Sequence, residues 1–323
     1  MIYSRIAGTG RYLPDRIMTN ADLEKMVDTS DEWIRTRTGV ERRHIAAEGQ
    51  GTSDLCVEAA RLAMEAAGVT PEDIDLVAVG TTTPDLVFPN VGTLVQERLG
   101  IHGCPAFSIE AACTGFLYAL SMSDKFVRAG EAKCALVIGA EVLSRLIDWT
   151  DRSTCVLFGD GAGAVVLEPS GDPGILSCHL GADGRYKELL YYPYGPSKAL
   201  DKAGVASDAK IIMSGNEVFK VAVKTLGNVA EEALRANGIA VDEVDWFVPH
   251  QANLRIIQAT AKRLGLPMEK VVLTVQDHGN TSAGSVPLAL DVAVRDGRLQ
   301  RGQLVLMEAF GGGFTWGSAL MRY

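Results

Sequence analysis

Apolar positions along this chain follow two rhythms. Short unbroken apolar runs read as buried strands, and runs with apolar residues every three to four positions read as amphipathic helices. In the first half the pattern predicts strands over 74–80, 104–109, 134–138 and 162–167. Helices are predicted between them over 54–67, 91–99 and 114–129. Thr52 and Ser53 open the first helix and Gly68 closes it, as helix-end chemistry favours. The second half repeats the order. Helices are predicted over 216–236, 254–264 and 283–294, and strands over 244–248, 271–275, 303–308 and 314–321. Leu254, Ile257, Ala261 and Leu264 are spaced by three, four and three, so they share one helix face. Such alternation defines an α/β fold.

The repetition extends to sequence. The stretch from Gly68 to Leu76 echoes that from Gly238 to Trp246, with Asp75 and Asp245 170 positions apart. Leu99-Gly100 is matched by Leu264-Gly265 at an offset of 165. A duplicated αβαβαββ half accounts for element order and spacing together. SGDPG at 170–174 breaks the pattern, so the halves are expected to span 1–172 and 173–323. The stretch 193–210, rich in Gly, Pro, Ser and Ala, reads as a long surface loop.

Composition narrows the classes. With 323 residues and 47% apolar content, the chain can bury a large core. Its 31 basic and 40 acidic residues give a net charge of −9, which disfavours a nucleic-acid partner. No apolar run is long enough for a membrane helix. The six cysteines form no CxxC pair and the N-terminus lacks a secretory pattern, so a cytoplasmic location is expected. The five histidines show no metal-ligand spacing, so neither metal nor resident cofactor is expected.

In α/β sheets, sites form beyond the carboxyl ends of strands, where helix N-termini converge. Three such junctions carry chemistry. Cys113 follows a strand and opens an apolar helix, whose positive N-terminal field favours thiolate. A buried inert thiol is the alternative, and it is the expectation for the other five cysteines. His250 stands between a strand and a helix, so it is expected neutral and able to donate one N–H. Asn280 offers a neutral amide donor within a Gly-rich turn, with His278 beside it as loop support. Gly311 to Gly313 let backbone N–H groups approach a ligand. The GxGxxA match at Gly159, Gly161 and Ala164 precedes a strand and not a helix, so it is no dinucleotide site.

These segments together are familiar. TSDEWIRTRTG (29–39), AACTGF (111–116), FGDGAGA (158–164), NEVFKVAV (216–223), VPHQAN (248–253) and HGNTSAGSVP (278–287) resemble the β-ketoacyl-[acyl carrier protein] synthase III family. These are the initiating condensing enzymes of bacterial fatty-acid synthesis. The resemblance implies a thiolase fold, with two halves packed as five α-β-α-β-α layers. It implies an acyl-CoA primer, malonyl-[acyl carrier protein] and a homodimer. Cys113 looks like the acyl-accepting nucleophile, with His250 and Asn280 activating the malonyl thioester. The N–H groups of Cys113 and Gly312 would form an oxyanion hole, with Phe310 close behind. Thr29, Trp33, Arg37 and Arg152 match positions that hold the coenzyme A nucleotide, and Gly215 and Asn253 match the pantetheine channel. Leu143, Phe158 and Leu190 would line the acyl pocket, closed by Phe88 from a second subunit. Lys220 and Arg255 match a basic region for the acidic carrier protein. Thr114 departs from the family pattern, where a smaller residue is expected, and the 193–210 loop matches nothing in it.

Four rivals share parts of this chemistry. A thiolase needs a second cysteine near the C-terminal glycines, which Ala309 to Gly312 lack. Elongating synthases use two histidines. A cysteine hydrolase would release free acid. A related synthase making signal, olefin or polyketide precursors would share the whole set.

Overall fold

The structure, a computed structural model, describes residues 2–197 and 209–323. The middle of the 193–210 loop therefore lies outside the described residues. The first sheet contains β1 (Tyr3–Tyr12), β2 (Leu76–Gly80), β3 (Ala106–Ile109), β4 (Ala135–Val142) and β5 (Asp160–Ser170), in the order β1-β5-β4-β2-β3. The second contains β6 (Ile175–Ala182), β7 (Trp246–Pro249), β8 (Leu304–Gly311) and β9 (Thr315–Arg322), in the order β7-β8-β9-β6. Val271 makes one parallel bridge to Phe247, where a fifth strand would lie. Both sheets thus share one topology. The helices that position the site are α1 (Asp31–Thr38), α2 (Thr52–Ala67), α3 (Val91–Leu99), α4 (Gly115–Ala129), α5 (Gly215–Asn237), α6 (Leu254–Leu264) and α7 (Ser285–Arg295).

The echo seen in sequence has a structural basis. The Asp75 carboxylate accepts from the Cys134 N–H at 3.0 Å, and Asp245 accepts from the Leu304 N–H at 2.7 Å. Each aspartate ties the start of one central strand to its neighbour. Gly68 and Gly238 end α2 and α5 in the same left-handed conformation, at φ 70° and 63°.

Two expectations are corrected. Each half carries a leading strand, β1 or β6, ahead of the expected αβαβαββ order, which makes the first half βαβαβαββ. The sequence of β1 hides its burial: Gly8 and Gly10 lie so close to α2 that a Cβ on Gly8 would stand 2.4 Å from the Ala63 carbonyl. Glycine supplies no apolar signal, yet only glycine fits there. The strand expected over 271–275 is reduced to the Val271 bridge. The chain then turns into a four-residue helix, Val275–His278. The halves differ in spacing by five residues here, as the offsets of 165 and 170 record.

Helices α4 and α7 are enclosed between the sheets. Phe116 and Leu120 from α4, Val286 and Leu290 from α7, and Val137 and Val305 from the two sheets form one buried cluster. Removing such a side chain to Ala typically costs about 2–5 kcal/mol. Helices α2 and α3 cover the outer face of the first sheet, and α5 and α6 that of the second. The layers are the five expected. Among the described residues, no helix is long and apolar enough to cross a membrane.

Candidate active site

Cys113 lies where the two halves meet. The chain leaves β3, passes Ala112 at φ 45° and makes one 3-10 turn through Cys113 before α4 begins. The second half builds the same turn, with Ser282 at φ 48° before α7. These two are the non-glycine residues of positive φ among the described residues. Such backbone is costly for a side chain and clusters at functional sites.

Two cavities converge on Cys113. One, of about 440 Å³, also contains His250, Asn280, Phe310 and Phe158 and runs out past Asn253 to Trp33 and Arg37. The other, of about 300 Å³, is walled by Leu143, Leu146, Phe158, Leu190 and Tyr192, and includes Gly312. Cys113 is 8% exposed at their junction. The first cavity suits a long polar-ended substrate, the second a short apolar group.

Electrostatics revise one expectation. Burial pushes the Cys113 thiol up to about 12; a hydrogen bond from Ser282 pulls it down, and Glu141 raises it further. Burial thus works against the helix field and favours the thiol form. His250 is neutral, as expected, because burial holds its imidazole down at about 3. Its Nδ1 lies 2.5 Å from Ser285 Oγ, which accepts from the Gln251 N–H. With the Ser285 hydrogen on Nδ1, the ring keeps its own hydrogen on Nε2, and we assign that tautomer. Asn280 Oδ1 accepts from the Ser282 N–H at 2.8 Å, which leaves Nδ2 as the donor end. The Asn280 backbone is fixed to Leu157 and Gly159 on the loop carrying Phe158.

The C-terminal glycines pack against the turn that carries Cys113. A Cβ on Gly311 would stand 2.6 Å from the Cys113 nitrogen, so the C-terminal turn passes directly over that N–H. Phe310 is buried, with its ring 4.6 Å from that of Phe314. The unexpected Thr114 hydroxyl donates to the Thr315 carbonyl at 3.2 Å, within the wall.

At the outer end, Trp33 is flanked by two guanidinium groups, Arg37 at 5.1 Å and Arg152 at 4.8 Å from its ring. At 4.8 Å the Arg152 group is in direct cation–π contact. Arg152 also donates to the Asp28 carbonyl at 2.8 Å. The Thr29 hydroxyl is buried without a protein partner. Gly215 and Asn253 line the channel, and the Asn253 amide donates to the Arg37 carbonyl at 3.1 Å. Arg255 stands at the channel mouth, 5.6 Å from the Phe219 ring. Lys220 is exposed and paired with Glu217 at 2.9 Å.

Thr29, Arg152 and Lys220 lie outside the linings of the two cavities, and Phe88 and His278 stand apart from them too. Phe88 lines neither and is 83% exposed, beside exposed Leu86 and Val87. His278 lines neither and meets His44 edge-on. The sequence reading missed Ser285, Ser282, Glu141 and Glu308. Glu308 is fully buried on β8 without a side-chain partner, and burial raises it to about 8. A carboxylate inside an otherwise apolar strand is the one signal that pointed to the two glutamates.

Comparisons agree with this geometry. The family model of 3-oxoacyl-[acyl-carrier-protein] synthase III matches residues 107–184, and that of its C-terminal part matches 234–323. The β-ketoacyl-[acyl-carrier-protein] synthase III of Xanthomonas campestris is 65% identical over 322 residues, covering 100% of this chain and 99% of that protein. The crystal structure of 3-oxoacyl-[acyl-carrier-protein] synthase III from Aquifex aeolicus has a TM-score of 0.92 at 49% identity, over 99% of this chain and 100% of that one. The priming β-ketosynthase of the R1128 polyketide pathway has a TM-score of 0.95 at 39% identity, over 99% and 96%. Fold and matches together define an acyltransferase of the condensing type, built on the thiolase fold. More narrowly, the chain belongs to the 3-oxoacyl-[acyl-carrier-protein] synthase III family.

Proposed function

We propose that this protein condenses a short acyl-CoA primer, acetyl-CoA foremost, with malonyl-[acyl carrier protein]. The products are β-ketoacyl-[acyl carrier protein], coenzyme A and CO2, and the step initiates fatty-acid synthesis. The observation that carries this reading is Cys113 at the meeting point of a long channel and an apolar cavity, with His250 and Asn280 in the channel wall.

The Cys113 sulfur attacks the primer thioester and displaces coenzyme A, leaving acyl-Cys113 with its chain in the apolar cavity. The N–H groups of Cys113 and Gly312 stabilise the tetrahedral oxyanion. Malonyl-carrier protein then occupies the channel. His250 Nε2–H and Asn280 Nδ2–H donate to its thioester oxygen, where charge develops as CO2 leaves. The resulting carbanion attacks acyl-Cys113, so no carbon-bound proton is abstracted. Coenzyme A thioesters are substrates here, and no step requires a metal or resident cofactor.

Thr29, Trp33, Arg37 and Arg152 hold the nucleotide, Gly215 and Asn253 the pantetheine. Lys220 and Arg255 guide the acidic carrier. Phe88 completes the acyl cavity of a second copy in a homodimer. The six free cysteines fit a cytoplasmic setting.

The test is intact mass spectrometry after exposure to a panel of acyl-CoAs, followed by malonyl-carrier protein. One acyl group added and then lost as β-ketoacyl-carrier protein appears is the expected result, and Cys113→Ala should abolish the addition. Free acid without a condensed product would identify a hydrolase. A second reading has its own support. The cavity walls include Leu146, Tyr191 and Tyr192 and enclose about 300 Å³, more than an acetyl group fills. A longer or branched primer would fill that space, and the same panel would reveal it.

A further inference from the structure

β4 ends in a carboxylate that none of these steps uses. Glu141 is fully buried and ringed by donors. Its Oε1 accepts from the Thr82 N–H and hydroxyl, each at 3.0 Å. Its Oε2 accepts from the hydroxyls of Thr83 at 2.6 Å and Thr81 at 3.2 Å. Those two hydroxyls each accept a backbone N–H, from Val142 and Thr83, so their own hydrogens turn to the carboxylate. A carboxyl ringed by donors is drawn toward its ionised form. One more donor is the Ser282 hydroxyl, 3.3 Å from Oε1. The Ser282 hydroxyl also neighbours the Cys113 sulfur, and both residues line the apolar cavity. The three side chains form a continuous path, Cys113 to Ser282 to Glu141.

We propose that Glu141 is the terminal acceptor of the Cys113 proton, reached through the Ser282 hydroxyl. The inference rests on the acyl-Cys113 reading above. As sulfur attacks the primer carbonyl, the thiol hydrogen moves to Ser282 Oγ while the Ser282 hydrogen moves to Glu141 Oε1. The Cys113 S–C bond forms, and the thioester bond to coenzyme A breaks with its electron pair on the departing sulfur. Glu141 then returns the proton through Ser282 to that thiolate. Acyl-Cys113, neutral coenzyme A thiol and an ionised Glu141 remain, so atoms and charge balance.

The relative basicity of the neighbours agrees. Burial holds His250 at about 3, too weak a base for a thiol proton. Burial raises Glu141 to about 7 against the pull of its hydroxyl donors. The other titratable groups facing it are Cys113 and Cys56 of α2, and Cys56 also feels Asp85 and Asp54.

The experiment is single-turnover acylation of the native enzyme by acetyl-CoA, read by intact mass from about pH 5.5 to 9, around the ordinary histidine range. It is repeated for Glu141→Gln, Glu141→Asp and Ser282→Ala. Native acylation should slow as pH falls through about 7, because a protonated Glu141 cannot accept. Glu141→Gln and Ser282→Ala should acylate on the order of 10²- to 10⁴-fold more slowly and lack that limb, the usual scale for a positioned base. Asp should restore part of both. Decarboxylation of malonyl-carrier protein should persist in all three, since Ser282→Ala keeps the N–H that orients Asn280. A Gln variant with native rate and native pH limb would overturn the proposal. Equal losses of acylation and decarboxylation would also overturn it, by reducing Glu141 to a structural support. A native enzyme that takes no acyl group from any primer would overturn the underlying acyl-Cys113 reading instead.

Discussion

In the proposed reaction three side chains divide the chemistry, and each owes its state to its surroundings more than to its type. His250 is a donor because burial keeps it neutral and because Ser285 occupies Nδ1. Malonyl decarboxylation should therefore show no limb near pH 6.5, where an ordinary histidine titrates. Loss should begin only as pH falls toward about 3. Decarboxylation measured alone, as CO2 release across pH, checks this. Asn280→Ala removes one donor to the developing oxyanion and should cost about 3 kcal/mol of barrier lowering, roughly 10²-fold in rate. Acylation of Cys113 should survive that change, so the two half-reactions separate the role. Both residues stood out in the sequence as polar residues between a strand and a helix. Ser285 and Ser282 did not, because a serine at a helix start reads only as a cap.

Element by element, legibility followed how much apolar surface each piece shows. Helices α2 to α7 and the strands β2 to β5 were marked by runs of Val, Ile, Leu and Ala. β1 and β6 escaped, since glycine and polar residues make up much of one and the other is only half-buried. The strand expected over 271–275 fails for another reason: its valines are buried in the core, but Gln251 accepts the backbone N–H groups of Thr274 and Val275, replacing a ladder partner. Helix α6 yields a prediction. Arg263 is bound to Asn228 and Glu231 on α5, whereas Arg255 and Lys262 are exposed on the solvent side. Lys262→Glu should raise KM for malonyl-carrier protein several-fold, with a reduced salt dependence, and leave acylation by acetyl-CoA unchanged. Equal effects on both substrates would place carrier docking elsewhere.

For the molecule as a whole, an exposed apolar run implies a partner surface. Leu86, Val87 and Phe88 are 50%, 70% and 83% exposed, an unusual cluster for a free-standing surface. Beside it in the first sheet, β3 is an edge strand with one side unpaired. Sedimentation should show a dimer, and Phe88→Asp should shift it toward monomer with a weakened preference among primers. A native monomer of full activity would contradict the homodimer. The resemblance named this arrangement, and the chain's own patterning was silent on it, because one exposed phenylalanine in a sequence looks like any other.

The twinned turns at Ala112 and Ser282 have a consequence for how many centres the chain can hold. At the matched offset of 170, Ala283 answers to Cys113, Gly80 to His250 and Gly115 to Ser285. Where the second half sets an imidazole against a hydroxyl, the first sets glycine against glycine, so tightly that a Cβ on Gly80 would stand 2.2 Å from the Gly115 carbonyl carbon. Ala283 is wholly enclosed, and a Cβ on Gly139 would stand 2.1 Å from its carbonyl oxygen. The internal twofold symmetry is thus broken by volume. One half has been filled to solid so that its mirror position can stay hollow, and a thiol moved to residue 283 would meet neither substrate nor base.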